Sequence, residues 1–166
     1  EAEECAMQLE LLPGCEYPQA IGALFAEYTD MLVREDPAFA SYLELQHYDQ
    51  EVAHLEQKYG PPGGVLYLAR ADGQDAGCIG LRRLDERRCE MKRLYVRPAF
   101  RGHGIAHTLV ETILADARTL GYRQMFLDTL PFLDTAIAMY RRFGFIDIPR
   151  YNDSPLDNTV YLRLDL

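Results

Sequence analysis

Residues 94–106 of this 166-residue chain read LYVRPAFRGHGIA, a passage from a strand through a glycine loop into a helix. The apolar strand stops at Pro98, and apolar residues recur at helical spacing from Ile105 onward. Gly102 and Gly104 lie between the two elements. Without a β-carbon, such a loop lets an anion reach bare backbone N–H groups, and the helix start adds a partial positive charge. The stretch therefore predicts a phosphate-binding loop.

This loop differs from the two commonest nucleotide-binding loops. It lacks a third glycine and no strand–helix–strand repeat precedes it, so the dinucleotide fingerprint does not fit. No Gly-Lys-Ser/Thr follows, so the P-loop does not fit either. His103 and His107 are four residues apart and could share a metal ion. We expect no metal, however, because His103 belongs to the loop and no third ligand is evident.

Hydrophobic periodicity and chain breakers predict a single mixed α+β domain over residues 1–166. We predict strands at about residues 7–12, 65–71, 77–84, 89–96, 124–129, 145–148 and 159–166. We predict four helices, over about 21–32, 49–59, 105–120 and 134–143, and leave residues 39–43 unassigned. Three successive strands indicate an antiparallel meander, and the passage from 89 to 129 indicates a parallel pair with a right-handed crossover.

The composition excludes several classes of protein. The net charge of −9 argues against nucleic-acid binding, which requires a basic face. No apolar window approaches the length of a membrane span, and the acidic N-terminus does not resemble a signal peptide. The four cysteines form no CxxC pair, so free thiols in the cytoplasm are expected.

A second motif, residues 136–145, reads AIAMYRRFGF. Together with RGHGIA at 101–106, it resembles the GNAT family of N-acetyltransferases, whose motifs read Arg/Gln-x-x-Gly-x-Gly/Ala and A-x-x-x-Y-x-x-x-G-F. The spacing and the order of elements also agree with that family. Ala106 stands where many relatives have glycine, and alanine is a common alternative there. The resemblance implies acetyl-CoA as co-substrate and a mostly antiparallel sheet of about seven strands, splayed between the fourth and fifth.

The resemblance also implies which residues bind the coenzyme. The pantetheine arm would lie along the backbone of Leu94, Tyr95 and Val96 like an added strand. A bulge near Tyr95 would help to open the sheet there. The pyrophosphate would be bound by Arg101, Gly102, His103, Gly104, Ile105 and Ala106, and Tyr140 would also contact the coenzyme.

Acetyl transfer needs a neutral amine, and an alkylamine of pKa ~10.4 is neutral about once in 2,500 molecules at pH 7. A base is therefore useful. By resemblance we expect Glu90 to be this base, with a pKa raised by burial, and Asp128 is the competing carboxylate. Tyr140 is expected to donate a proton to the leaving thiolate. Lys92 is expected on the same strand face as Glu90, with Arg93 on the other face. Lys92 either binds a substrate carboxylate or is an ordinary surface charge.

The acceptor is expected to be the primary amine of a small molecule. A protein lysine or N-terminus, a non-catalytic acyl-CoA-binding module and a domain without a ligand remain alternatives. Residues 151–153 form either a substrate lid or an ordinary polar loop. Neither a nucleic acid nor a membrane is expected as a partner, and the resemblance is compatible with a homodimer.

Overall fold

The computed structural model describes residues 6–166, over which the chain forms seven strands and six helices. The strands are β1 (Leu9–Pro13), β2 (Val65–Ala71), β3 (Gln74–Arg83), β4 (Arg88–Val96), β5 (Gln124–Thr129), β6 (Ile146–Asp147) and β7 (Val160–Asp165). The helices are α1 (Pro18–Glu35), α2 (Phe39–Leu45), α3 (Tyr48–Ala53), α4 (Leu55–Tyr59), α5 (Ile105–Thr119) and α6 (Asp134–Phe143). The predicted mixed α+β fold is confirmed.

Residues 18–59 form four α-helices, where two were predicted. The unassigned residues 39–43 belong to α2, and the predicted helix over 49–59 is divided at His54 into α3 and α4. The backbone angles of His54, φ −139° and ψ 63°, are not helical. Helices of five to seven residues are not stable alone, because the free energy needed to form the first turn exceeds what their few hydrogen bonds contribute. Tertiary contacts therefore hold them, and periodicity could not reveal them.

The seven strands form one sheet in the order β1-β2-β3-β4-β5-β7-β6. The meander β2-β3-β4 is antiparallel and the β4–β5 pair is parallel, as predicted. The parallel pairing covers three positions, from Arg88 opposite Gln124 to Glu90 opposite Phe126. Beyond them β4 continues to Val96 without β5 as a partner, so the sheet is splayed at the predicted place.

A bulge interrupts the pairing of β4 with β3. Cys78 pairs with Tyr95 and Gly80 with Lys92, so two residues of β4 stand opposite one of β3. Arg93, one of these two, has a φ of 59°, in the left-handed region. The bulge at Arg93 and Leu94 thus lies next to Tyr95, near which it was predicted.

Helices cover both faces of the sheet. On one face, α5 and α6 bury Leu109, Ile113 and Tyr140 in a core with Met91 and Met125. On the other face, the core is formed by α1, α4 and the facing strand residues, including Ile21, Phe25, Tyr59, Leu68 and Tyr95. The gap between β4 and β5 therefore opens between two packed layers.

No helix within residues 6–166 is both long and apolar enough to cross a bilayer.

Candidate active site

Two cavities lie at the gap between β4 and β5. The larger has a volume of about 810 Å³ and extends from β4 past the glycine loop to α6. The smaller has a volume of about 50 Å³ and lies among β4, β5 and α2. Tyr28, Leu94, Leu133 and Tyr140 line both cavities. The two cavities therefore adjoin one another at these four residues.

The loop between β4 and α5 presents bare backbone to the larger cavity. Gly102 and Gly104 have φ values of 83° and 75°, which glycine adopts without steric cost. A β-carbon at either glycine would meet no heavy atom of the described chain within 4 Å, apart from its neighbours in sequence. The first α5 hydrogen bond runs from Thr108 N to Gly104 O at 3.1 Å, so the preceding N–H groups are free to bind an anion.

Nine of the ten residues predicted to bind the coenzyme line this larger cavity. They are Leu94, Tyr95, Val96, Arg101, Gly102, Gly104, Ile105, Ala106 and Tyr140. The tenth, His103, is exposed and is not part of the lining. The structure therefore brings the strand, the loop and the second motif to one place.

The end of β4 offers a backbone edge to the larger cavity. The Leu94 and Val96 side chains pack against the core under α5, whereas the Tyr95 ring lies 5.7 Å from the Tyr28 ring on α1. Because these side chains occupy the two faces of the sheet, the backbone N–H and C=O groups lie in the plane of the sheet and face the gap. This geometry is what an extended arm binding as an added strand requires.

Tyr140 lies at the junction of the two cavities. Its side chain is buried, and its ring packs 5.8 Å from the Phe145 ring. Burial raises the pKa of the phenol far above its usual value, so Tyr140 stays protonated at neutral pH. Its hydroxyl forms no hydrogen bond with any residue in the described part of the chain. It is therefore a hydrogen-bond donor that is available to a ligand in either cavity.

Asp128 faces the smaller cavity from β5. Its Oδ2 atom accepts a hydrogen bond from Nδ2 of Asn152 at 2.8 Å and another from the hydroxyl of Tyr42. Asn152 in turn accepts a 3.1 Å hydrogen bond from the Tyr161 hydroxyl. The carboxylate is thus held in a fixed position, with an oxygen left to interact with a ligand.

Glu90 has a different environment from the one expected. Its carboxylate accepts hydrogen bonds from Arg82 Nε at 2.7 Å and from the Tyr151 hydroxyl at 2.6 Å, and it is not part of the lining of either cavity. Burial alone would raise its pKa, but Lys92, Arg82 and the Tyr151 hydroxyl together lower it. The expectation of a raised pKa was wrong, because the cations outweigh burial.

Arg93 was predicted on the face opposite Lys92, and this was wrong. The bulge turns its guanidinium to the α1–α4 side, where Nε lies 2.8 Å from Glu51 Oε2 and Nη2 donates to Gln46 at 2.8 Å. Lys92 lies on the same side, because its partner Gly80 faces the ring of Tyr59. Both cations line the smaller cavity.

Of the two histidines near the loop, His107 contacts protein side chains and His103 is exposed. His107 Nδ1 lies 2.6 Å from Glu111 Oε1, and the imidazole stacks 4.7 Å from the Phe143 ring. Within residues 6–166, no group of three or more His, Cys, Asp or Glu side chains is placed to hold a metal ion.

Sequence reasoning missed Tyr28 and Tyr42. Tyr28 fitted the apolar face of α1, and Tyr42 lay in the unassigned segment, so neither carried a functional signal. In the loop suggested as a lid, Tyr151 contacts Glu90 and Asn152 contacts Asp128, whereas Asp153 is exposed. Aromatic residues of two helices and a loop thus complete the site.

Comparisons with known proteins agree with this fold and site. The model of the acetyltransferase (GNAT) family matches residues 25–145. An uncharacterized N-acetyltransferase of Schizosaccharomyces pombe is 41% identical over 82% of this chain and 85% of its own. Human N-acetylaspartate synthetase is 31% identical over 84% of this chain and 45% of its own length. The PaiA N-acetyltransferase of Thermoplasma acidophilum, solved in complex with coenzyme A, superposes with a TM-score of 0.72 at 15% identity, over 96% of this chain and 99% of its own.

The fold is therefore that of an acetyltransferase, with a sheet opened between its fourth and fifth strands and a glycine loop beside the opening. The protein belongs to the GNAT family of N-acetyltransferases.

Proposed function

We propose that this protein transfers the acetyl group of acetyl-CoA to the primary amine of a small molecule, by direct attack in a ternary complex. The observation that carries this proposal is the position of Tyr140 between two adjoining cavities of very different size. The cavity of about 810 Å³ suits an elongated coenzyme, and the cavity of about 50 Å³ suits the reacting end of an amine.

The residues of the larger cavity fit coenzyme A. The backbone N–H groups at the start of α5, with Arg101 beside them, suit the pyrophosphate, and the positive φ of Gly102 and Gly104 exposes them. The free edge of β4 suits the pantetheine arm. The coenzyme A bound to the PaiA relative supports the same ligand here.

Acetyl-CoA supplies an acyl carbon at which the amine nitrogen forms a new C–N bond while the C–S bond breaks. Asp128 would take the proton released by the amine, directly or through a water molecule, because it lines the acceptor cavity and is held by Tyr42 and Asn152. Tyr140 would give its proton to the departing thiolate and then recover one from solvent.

Asp128 is better supported than Glu90 as the base. Asp128 lines the cavity that adjoins Tyr140, whereas Glu90 is held by Arg82 and Tyr151 and its pKa is lowered. Glu90 would instead hold Arg82 and the loop residue Tyr151 in place.

The size of the smaller cavity favours a small acceptor over a protein. A volume of about 50 Å³ holds a few water-sized groups. Human N-acetylaspartate synthetase is named for a small acetylated product, which supports a small acceptor here. A lysine side chain reaching in from a protein would need a groove leading to the cavity.

Release of free thiol tests the proposal. The protein is mixed with acetyl-CoA and a panel of amino acids, polyamines, aminoglycosides and peptides, and the thiol is followed with a chromogenic reagent. Amine-dependent release is expected for a small acceptor. Stabilisation by CoA without release would identify a non-catalytic binding module. Release with peptides alone would identify a protein acetyltransferase.

A further inference from the structure

Lys92 is a buried cation without a close partner. Its side chain is 7% exposed, and Nζ lies 3.8 Å from Glu90 Oε1, too far for a hydrogen bond. Nζ forms no hydrogen bond with any residue from 6 to 166. Nζ is not among the enclosed side-chain atoms of residues 6–166 that lack a hydrogen-bond partner, so it is open to the cavity, where an anion would compensate its charge. Because Lys92 lines the smaller cavity, that anion has a place to bind.

The other buried cation of this cavity is already neutralised. Arg93 forms two hydrogen bonds with Glu51, at 2.8 and 3.1 Å, and a third with Gln46. Glu90, the carboxylate nearest to Lys92, is likewise engaged with Arg82 at 2.7 Å. Lys92 is therefore the cavity cation with unused capacity to bind a ligand, among the residues that the structure describes.

The charged network to which Lys92 belongs extends beyond the cavity and has four cations and three carboxylates. The connected network contains the cations Lys58, Arg82, Lys92 and Arg93 and the carboxylates Glu51, Glu90 and Asp128. A ligand with one carboxylate would balance it. Burial lowers the pKa of Lys92, which is the sign of an ammonium group whose charge is incompletely compensated.

Lys92 and Asp128 line the same small cavity from the two strands that diverge there. Opposite charges on opposite strands suit a ligand that carries both an amine and a carboxylate, a few bonds apart. We propose that Lys92 binds the carboxylate of the acceptor while Asp128 receives its amine, so that the acceptor is an amino acid. This inference rests on the proposed acetyl transfer and adds the class of its acceptor.

Matched acceptors test the inference on the unaltered protein. Free alanine, serine, aspartate and phenylalanine are compared with their α-carboxamides, which keep the amine and lose the negative charge. The kcat/KM for the best free acid is expected to exceed that of its amide by about 10- to 100-fold, the usual worth of a hydrogen bond to a charged group. Equal values for acid and amide would overturn the inference while leaving acetyl transfer intact.

A lysine variant assigns the preference to its residue. Lys92→Met should lower kcat/KM for the acid by about 10- to 100-fold and leave the amide nearly unchanged. Lys58→Met is the matched control, because Lys58 is the other lysine of the chain, pairs with Glu51 and is not part of the cavity lining. An equal loss for acid and amide in Lys92→Met would overturn the inference and point to Lys92 as a base.

If no amine releases thiol, the proposed function is refuted. The role of Lys92 in binding a carboxylate is then tested by a binding measurement. An N-acetylated amino acid keeps the carboxylate and is titrated calorimetrically into the protein with CoA present. Binding that Lys92→Met abolishes would support the inference, and absent or unchanged binding would overturn it. The shift in melting temperature caused by CoA checks that Lys92→Met is folded. If it is not, the N-acetylated amino acid and its carboxamide are titrated into the unaltered protein, and equal binding of the two would overturn the inference.

Discussion

Arg93 Nε lies 2.8 Å from Glu51 Oε2, and this buried ion pair joins the bulge of β4 to α3. The bulge turns the guanidinium to the helical side of the sheet, where Glu51 also accepts a 2.8 Å hydrogen bond from the Tyr59 hydroxyl. The pair therefore fixes the place where β4 leaves its regular course, next to the acceptor cavity.

Glu51→Gln should destabilise the protein strongly. It leaves the Arg93 guanidinium buried without a counter-charge, and breaking a buried pair in this way costs about 3–5 kcal/mol. Urea unfolding measures the change. Glu56→Gln is the matched control, because Glu56 is on the neighbouring helix α4 with 66% of its side chain exposed. Equal stabilities of the two variants would contradict the prediction.

Stability should fall as the pH is lowered through the acidic range. For Glu51, burial would raise the pKa, but Arg93 and Lys58 lower it well below the usual 4.5, and the pKa of Glu90 is also lowered. The unfolded chain then binds more protons than the folded one, so the stability is complete above about pH 4.5 and is lost as the pH falls. Urea unfolding at several pH values measures the slope, which should be shallower in Glu51→Gln. An unchanged slope in that variant would assign the acid sensitivity elsewhere.

Gly104→Glu should abolish binding of CoA. The variant places bulk and negative charge where the pyrophosphate is proposed to bind, and it strains a backbone with φ of 75°. Calorimetric titration with CoA measures the affinity. Gly73→Glu provides the same strain at a φ of 78° in the turn between β2 and β3, also with open space around the β-carbon, and should bind CoA normally. Retained affinity in Gly104→Glu would refute the loop assignment.

Tyr140→Phe should reduce kcat by about tenfold and leave the affinity for acetyl-CoA almost unchanged, since a thiol of pKa ~8.5 leaves tolerably well unaided. Steady-state kinetics and a separate binding titration distinguish the two effects. Tyr122→Phe is the control, because it removes a hydroxyl that donates to Gly63 O, away from both cavities. Full activity in Tyr140→Phe would remove the proposed acid role.

Asp128→Asn should lower kcat by about 100-fold, and more alkaline buffer should restore part of the loss because a larger fraction of the amine is then neutral. The pH–rate profile is the measurement. Glu90→Gln is the comparison, since it replaces a carboxylate outside the cavity lining. If Glu90→Gln shows the alkaline rescue and Asp128→Asn does not, the base is Glu90.

The parts of the site that sequence reasoning found are those with local signals. A glycine loop between a strand and a helix is recognisable from consecutive residues. The AIAMYRRFGF motif, which contains Tyr140, is also a run of consecutive residues. The antiparallel meander and the parallel pair follow from short turns and one crossover, whereas the position of β7 between β5 and β6 carries no such signal. These features need no knowledge of distant contacts.

The parts that it missed depend on contacts between distant residues. Tyr42 and Asp128 are far apart in sequence, and α2 is too short to be recognised from periodicity. The orientation of Arg93 reverses because a bulge inserts one residue, and alternation along a strand cannot anticipate this. The pKa of Glu90 depends on Arg82 and Lys92, whose effect exceeds that of burial.

β4 and β5 diverge after three residue pairs, so the sheet contact between the two halves of the molecule is short. The block built on β1–β4 and the block built on β5, β7 and β6 are tied along the sheet by Arg88–Glu90 and Gln124–Phe126. A molecule bound along β4 would contact both blocks and connect them beyond these three residue pairs. Amide protons of residues 91–96 should consequently exchange with deuterium more slowly in its presence, even where no side chain touches it.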